Sequence, residues 1–242
     1  MTAAERRPSL LTDSLQAHLL QFERPAVPAA DAAVERRLLL AFALVALGLF
    51  LALRAALGQL GWRGEPAANL GFVALLLLAF LVVQQHGVGR PLVELGLRPW
   101  ARWTRRERLY AWQVIPLAAV VFALLFHGPL LALLGRHGAV GFLLFSLLTG
   151  LLWGALQECL YRGWLQTALT RRLGTWAGVL AANLVFTFGP LHWDHLLAAD
   201  GPRWGVLAAV FGIGLFFGLL AQRSGNLWLP ALLHGLWPPN MV

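Results

Sequence analysis

Polar and apolar positions divide this chain into a short polar arm and a long series of apolar runs. Residues Met1 to Arg37 are polar and mixed in charge. Apolar stretches follow at Leu38 to Leu53, Ala67 to Val83, Leu109 to Leu134, Val140 to Leu169, Thr175 to Phe188, Trp204 to Ala221 and Leu227 to Trp237. A spanning helix takes about 20 predominantly apolar residues, so the first and last of these are short and the fourth is long. The pattern predicts an all-α polytopic membrane helix bundle of about seven spanning helices, with an arm over residues 1–37 and a membrane domain over 38–242. Within the arm, Leu11, Leu15, Leu19 and Phe22 recur near helical spacing. That suits an interfacial helix and equally a tail ending at Pro25 and Pro28.

Composition strengthens the membrane assignment. The chain is 59% hydrophobic and only 12% charged, where soluble domains carry about 25% charged residues. All nineteen basic residues are arginine and the formal charge is +8. Charge of that size could signal nucleic acid, but the arginines cluster between apolar runs, as the positive-inside rule expects, so the partner they imply is the lipid bilayer. With the N-terminus inside, fourteen arginines fall on inner segments and four, Arg54, Arg63, Arg136 and Arg203, on outer ones. No apolar core follows Arg6-Arg7, so no cleaved signal peptide is expected. These features point to an integral protein of a bacterial cytoplasmic membrane with its N-terminus inside. The lone cysteine, Cys159, excludes an internal disulfide and a thiolate zinc cluster. The block from Trp100 to Arg108 reads as interfacial tryptophan with snorkelling arginine, with anionic lipid as the sharper alternative.

Polar residues inside the apolar runs carry the chemistry. Gln157-Glu158-Cys159-Leu160-Tyr161-Arg162-Gly163 interrupts a stretch without ionisable groups, and Glu158 and Arg162 share a helix face four residues apart. A carboxylate in hydrocarbon is expensive, so a retained pair is either a structural tie between helices or part of a site. Phe188-Gly189-Pro190-Leu191-His192, followed by Trp193-Asp194-His195, and Pro230-Ala231-Leu232-Leu233-His234 are further breaks, with Asn183 upstream of His192 in the same segment. Gly189-Pro190 should kink that helix. Gly212, Gly214 and Gly218 suit close helix approach.

Gln157-Glu158-x-x-x-Arg162, Phe188-x-x-x-His192 and His234 in a Leu-Pro-Ala-Leu-Leu-His context resemble the three motifs of the CPBP family, the CAAX proteases and bacteriocin-processing enzymes, also called Abi. Leu95-Gly96-Leu97-Arg98 is similar too, so the resemblance runs from about Leu92 to Trp237, with the catalytic-type core in about 140–240. It implies an intramembrane endopeptidase of glutamate type acting on a membrane-associated peptide or protein, with removal of a C-terminal sorting or processing tail as one such reaction. In that family the first acid of a Glu-Glu pair and the second-motif histidine activate water, and the third-motif histidine with a following Asn or Asp stabilises the oxyanion. Carried over, His192 holds the water, His234 donates to the oxyanion and Arg162 orients Glu158.

The pattern departs at two positions. The first glutamate falls on Gln157, and an amide is no general base; the Asn or Asp after the last histidine falls on Pro238, with Asn240 two residues beyond. Glu158 is then the expected base. A non-catalytic relative serving as a membrane binding, immunity or scaffold protein is the alternative that Gln157 and Pro238 favour. A third has Cys159 as nucleophile with Arg162 and a histidine, the side chains used by intramembrane transpeptidases of the exosortase group. No cofactor is expected. The less favoured zinc reading would draw on Glu158, His192 and His234, with His195 nearby.

Overall fold

The protein is described by a computed structural model covering residues 31–61 and 65–236. The arm from Leu11 to Phe22, Pro238 and Asn240 lie outside these residues. Helix α1, Ala32–Gln59, starts at Asp31, whose carboxylate accepts the N–H groups of Ala33 and Val34. It therefore begins six residues before the first apolar run. Those extra turns are anchored by Glu35, which is buried and paired with Arg172 at 3.2 Å.

Helix α2, Pro66–Val88, opens with proline in its first turn and closes at Gly89, whose φ of +68° is the left-handed stop that glycine adopts without strain. Two single 3-10 turns, Leu92–Leu95 and Trp100–Arg102, lead to helix α3, Arg105–Leu125. Its start is a capping box: Thr104 takes the Glu107 N–H while the Glu107 carboxylate takes the Thr104 N–H. Helix α4, His127–Leu173, bends at Gly138 (φ 65°, ψ 178°). Helix α5, Thr175–Phe188, a 3-10 turn at Pro190–His192, the short helix α6, Trp193–Leu196, helix α7, Trp204–Ser224, and helix α8, Trp228–Gly235, complete the described chain. No strand occurs among the described residues, so the fold is an all-α membrane bundle.

Among the described residues five helices, α1, α2, α3, α4 and α7, are long and apolar enough to cross a membrane, where about seven spans were expected. The other two runs are α5 and α8. The runs at Leu109 to Leu134 and Val140 to Leu169 give one helix each, α3 and α4, with the boundary between them at Phe126, where φ is −116°, and with a kink in α4 at Gly138. Helices α5 and α8 have 14 and 8 residues, about 21 and 12 Å at 1.5 Å per residue, against a hydrocarbon core of about 30 Å. Hydropathy alone does not separate a short apolar helix packed inside the bundle from one that spans.

The short helices are held by backbone contact. A Cβ on Gly154 of α4 would lie 2.5 Å from the Gly235 N of α8 and 2.7 Å from the Ala231 O, so the two helices touch main chain to main chain. On α7, Gly214 lies against Asn183 and Gly218 against Gln166, whereas Gly212 faces open space. The Leu95-Gly96-Leu97-Arg98 stretch is tied to the α7–α8 turn: Leu227 N–H donates to Gly96 O, and Arg98 donates to Ser224 O while pairing with the buried Glu107. Trp103 in the arginine-rich block is buried and donates to Arg98 O, while Trp100 remains exposed.

Candidate active site

In α4, residues Glu158–Gln166 form a wide π-helical turn in which every residue is buried. Such wide turns are frequent at functional sites. The four-residue spacing still brings Arg162 onto Glu158, with Arg162 Nε 3.3 Å from Glu158 Oε2. The guanidinium is tied further by Nη2 to Gly214 O of α7 at 2.8 Å, and it lies 4.3 Å from the centre of the Phe186 ring of α5. Neither charge meets solvent. Burying such a pair is costly unless its members are engaged; here α5, α7 and α8 supply partners, while Arg162 Nη1 has no hydrogen-bond partner among the described residues.

The third partner is His234, in the last turn of α8. Its Nδ1 donates to Glu158 Oε1 at 2.9 Å, since a carboxylate oxygen only accepts. That bond fixes the imidazole and turns Nε2 away from the carboxylate. His192 reaches the same place by another route. Helix α5 ends at Phe188 and Gly189 is extended (φ −83°, ψ −174°), so Gly189-Pro190 stops the helix where a kink was expected. Proline has no N–H to continue the ladder. The 3-10 turn that follows folds His192 back until its Nδ1 donates to Phe186 O at 2.8 Å, again leaving Nε2 outward. Asn183 and His192 thus belong to different elements, and Asn183 serves packing: it is buried and donates to Phe211 O at 2.9 Å.

Both histidines face a cavity of about 690 Å³, whose wall also carries Gln157, Trp153, Phe186 and Phe217. Gln157 lies on that wall and Glu158 does not; Glu158 is 0% exposed. Adjacent helical residues point about 100° apart, so one of the two had to turn inward. Cys159 is likewise buried and off the cavity wall. No three His, Cys, Asp or Glu side chains converge as a metal-binding set among the described residues. The rings of His192 and His195 are nevertheless near-parallel, 6.4 Å apart.

Residues 139–238 match the family model "Type II CAAX prenyl endopeptidase Rce1-like". That region is similar to the family. The match covers Gln157, Glu158, Arg162, His192 and His234 together. No curated protein and no solved structure matches the chain.

Sequence reasoning missed Phe186. Its ring lies edge-on to Tyr161 and His192, with centroids 5.1 and 5.0 Å away, and to His234 at 6.0 Å, while Arg162 covers its face. One aromatic ring thus spaces the two histidines of the matched region. No signal in the run Asn183 to Phe188 distinguishes this phenylalanine from Phe188, which is partly exposed. Arg54 and Asp194 were also unassigned, and they form an ion pair between α1 and α6 at the rim of the cavity.

Proposed function

We propose that the protein hydrolyses a peptide bond of a membrane-associated polypeptide held in this cavity, with its N-terminus on the arginine-rich side of the membrane. The observation that carries the reading is the Glu158–His234 hydrogen bond, with His192 on the same cavity wall. His192 Nε2, free because Nδ1 donates to Phe186 O, accepts a proton from water as the water oxygen attacks the scissile carbonyl carbon. The Gln157 amide orients that water. His234, oriented by the Nδ1–Glu158 bond, acts in this step in its doubly protonated form and donates Nε2–H to the oxyanion. As the C–N bond breaks, His192 passes the proton to the departing amine, which leaves one new carboxyl group and one new amino group. Glu158 then acts through His234 as a positioning residue, with Arg162 behind it, and the role of base passes from Glu158 to His192. Neither Cys159 nor a metal ion is given a step.

One observation favours a non-catalytic binding, immunity or scaffold role instead. Among the described residues the only acid on the cavity wall is Asp194, which is already paired with Arg54, and Gln157 stands where the family resemblance puts the base. Terminal-peptide proteomics on membranes from cells producing wild type, His192→Ala, Glu158→Gln, Cys159→Ala or Gln157→Glu separates the two. On the hydrolytic reading wild type and Cys159→Ala create the same new peptide ends, His192→Ala creates none and Glu158→Gln strongly reduces them. New ends from Gln157→Glu alone would establish the binding role for the natural chain.

A further inference from the structure

The charged residues of the cavity wall are unevenly placed. Arg54 lies near the end of α1, and Arg203 immediately precedes α7; together with Asp194 they line the cavity that the two site histidines share. The backbone of Arg203 is fixed there, its N–H donating to His195 O at 2.9 Å and its carbonyl accepting from Leu207 N–H at 3.0 Å. Two guanidinium groups therefore face one wall carboxylate, because Glu158 is turned out of the cavity. Deeper in, the wall is apolar, with Phe50, Phe72, Val210 and Ile213.

Asp194 indicates what these arginines bind. Its side chain is 72% exposed, yet it pairs with Arg54, whose own side chain is only 24% exposed. An aspartate so open to solvent gains little from an ion pair, so it is readily exchanged for another carboxylate. No carboxylate pairs with Arg203 among the described residues.

We propose that Arg54 and Arg203 form a carboxylate-recognition subsite that selects polypeptides carrying an acidic group next to an apolar segment, with Asp194 occupying Arg54 until such a substrate displaces it. The planar guanidinium suits a carboxylate in a two-point contact, and the apolar wall beyond takes the adjoining side chains. This rests on the proteolytic reading of the cavity, but it concerns binding and is tested without turnover. Arg54 lies outside residues 139–238, so selection here is contributed by the N-terminal helix to a site whose chemistry is built by the C-terminal region.

The test uses the full-length protein in phosphatidylcholine nanodiscs and fluorescein-labelled apolar peptides bearing one Asp or one Asn, each with a free or an amidated C-terminus. Fluorescence anisotropy should give about tenfold tighter binding for peptides with a carboxylate than for the amidated Asn peptide. The Asp amide and Asn acid peptides tell a side-chain carboxylate from a terminal one. Arg54→Gln and Arg203→Gln should abolish the preference while leaving the uncharged peptide's affinity unchanged; Arg54→Lys should keep part of it, and Asp194→Asn should tighten carboxylate binding. Equal binding of all four peptides to wild type, or equal weakening of all four by the Gln variants, overturns the subsite. If either Gln variant fails to fold, Asp194→Asn decides: no gain in carboxylate binding overturns it. A preference that vanishes in phosphatidylglycerol nanodiscs assigns the arginines to lipid headgroups and also overturns it. Charge-selective binding without cleavage sinks proteolysis and leaves the subsite standing; cleavage without charge preference does the reverse.

Discussion

Two stretches of one long helix, α4, run against the usual pairing of burial with apolar sequence. Between His127 and Phe142 no residue is buried, and Leu131 and Val140 are 65% and 71% exposed. Between Glu158 and Gln166 every residue is buried, including an acid, an arginine and a glutamine. In a membrane the first stretch meets lipid chains as apolar as itself, so packing it against protein gains little. The second carries charged groups inside the protein and engages them with partners drawn from α5, α7 and α8, though Arg162 Nη1 is left without a hydrogen bond among the described residues. Polar side chains, rather than hydrophobic ones, mark where this bundle is most tightly specified.

The contrast can be broken most severely at Glu158. Glu158→Ala would leave Arg162 buried without its carboxylate, and the loss should be about 3–5 kcal/mol, read as a large fall in thermal unfolding temperature in detergent together with loss of cleavage. A smaller effect is expected at Gly154. Gly154→Val would drive a side chain into the backbone of α8, costing about 1–3 kcal/mol and displacing His234; stability and cleavage should both fall although no polar group has changed. Least of all is expected in the exposed stretch. Leu131→Ala should shift stability by no more than about 0.5 kcal/mol and leave cleavage at the wild-type rate. A loss at Leu131 as large as that at Gly154 would mean that the exposed face is covered by protein and would undo the comparison.

The same contrast explains what could be read from the sequence. Glu158, Arg162, His192 and His234 were singled out in the sequence because each is costly in hydrocarbon and because their motif spacing is particular, and the fold brings Glu158 onto Arg162 and His234 with His192 on the same cavity as His234. The sequence also exposed the problem at Gln157, but not its resolution: neighbouring helical positions diverge, and only the contacts of α4 determine that Gln157 meets the cavity while Glu158 meets His234. The count of about seven exceeds the five helices long enough to span by α5 and α8, since an apolar run of 14 or 8 residues carries no mark of whether lipid or protein surrounds it. Phe186 was invisible for a related reason. It is one phenylalanine in an apolar run, and its importance comes from four neighbours on other segments. Arg54 and Arg203 were read only as charges on outer segments, and their meeting at one cavity depends on the long-range packing of α1 and α7.

The wide turn at Glu158–Gln166 also makes chain length a structural variable. Hydrogen bonds there close over one residue more than in an α-helix. Deleting a single residue inside it lets the turn tighten to ordinary helix, which offsets the lost residue, whereas inserting one that the already wide turn cannot take up would rotate everything before it, Gln157, Gly154 and Trp153 included, by about 100° relative to Arg171 and Arg172 at the other end. The cavity wall would then be presented by a different set of side chains, although none of them had been substituted. Insertions within these nine residues are therefore far more disruptive to this protein than their size suggests.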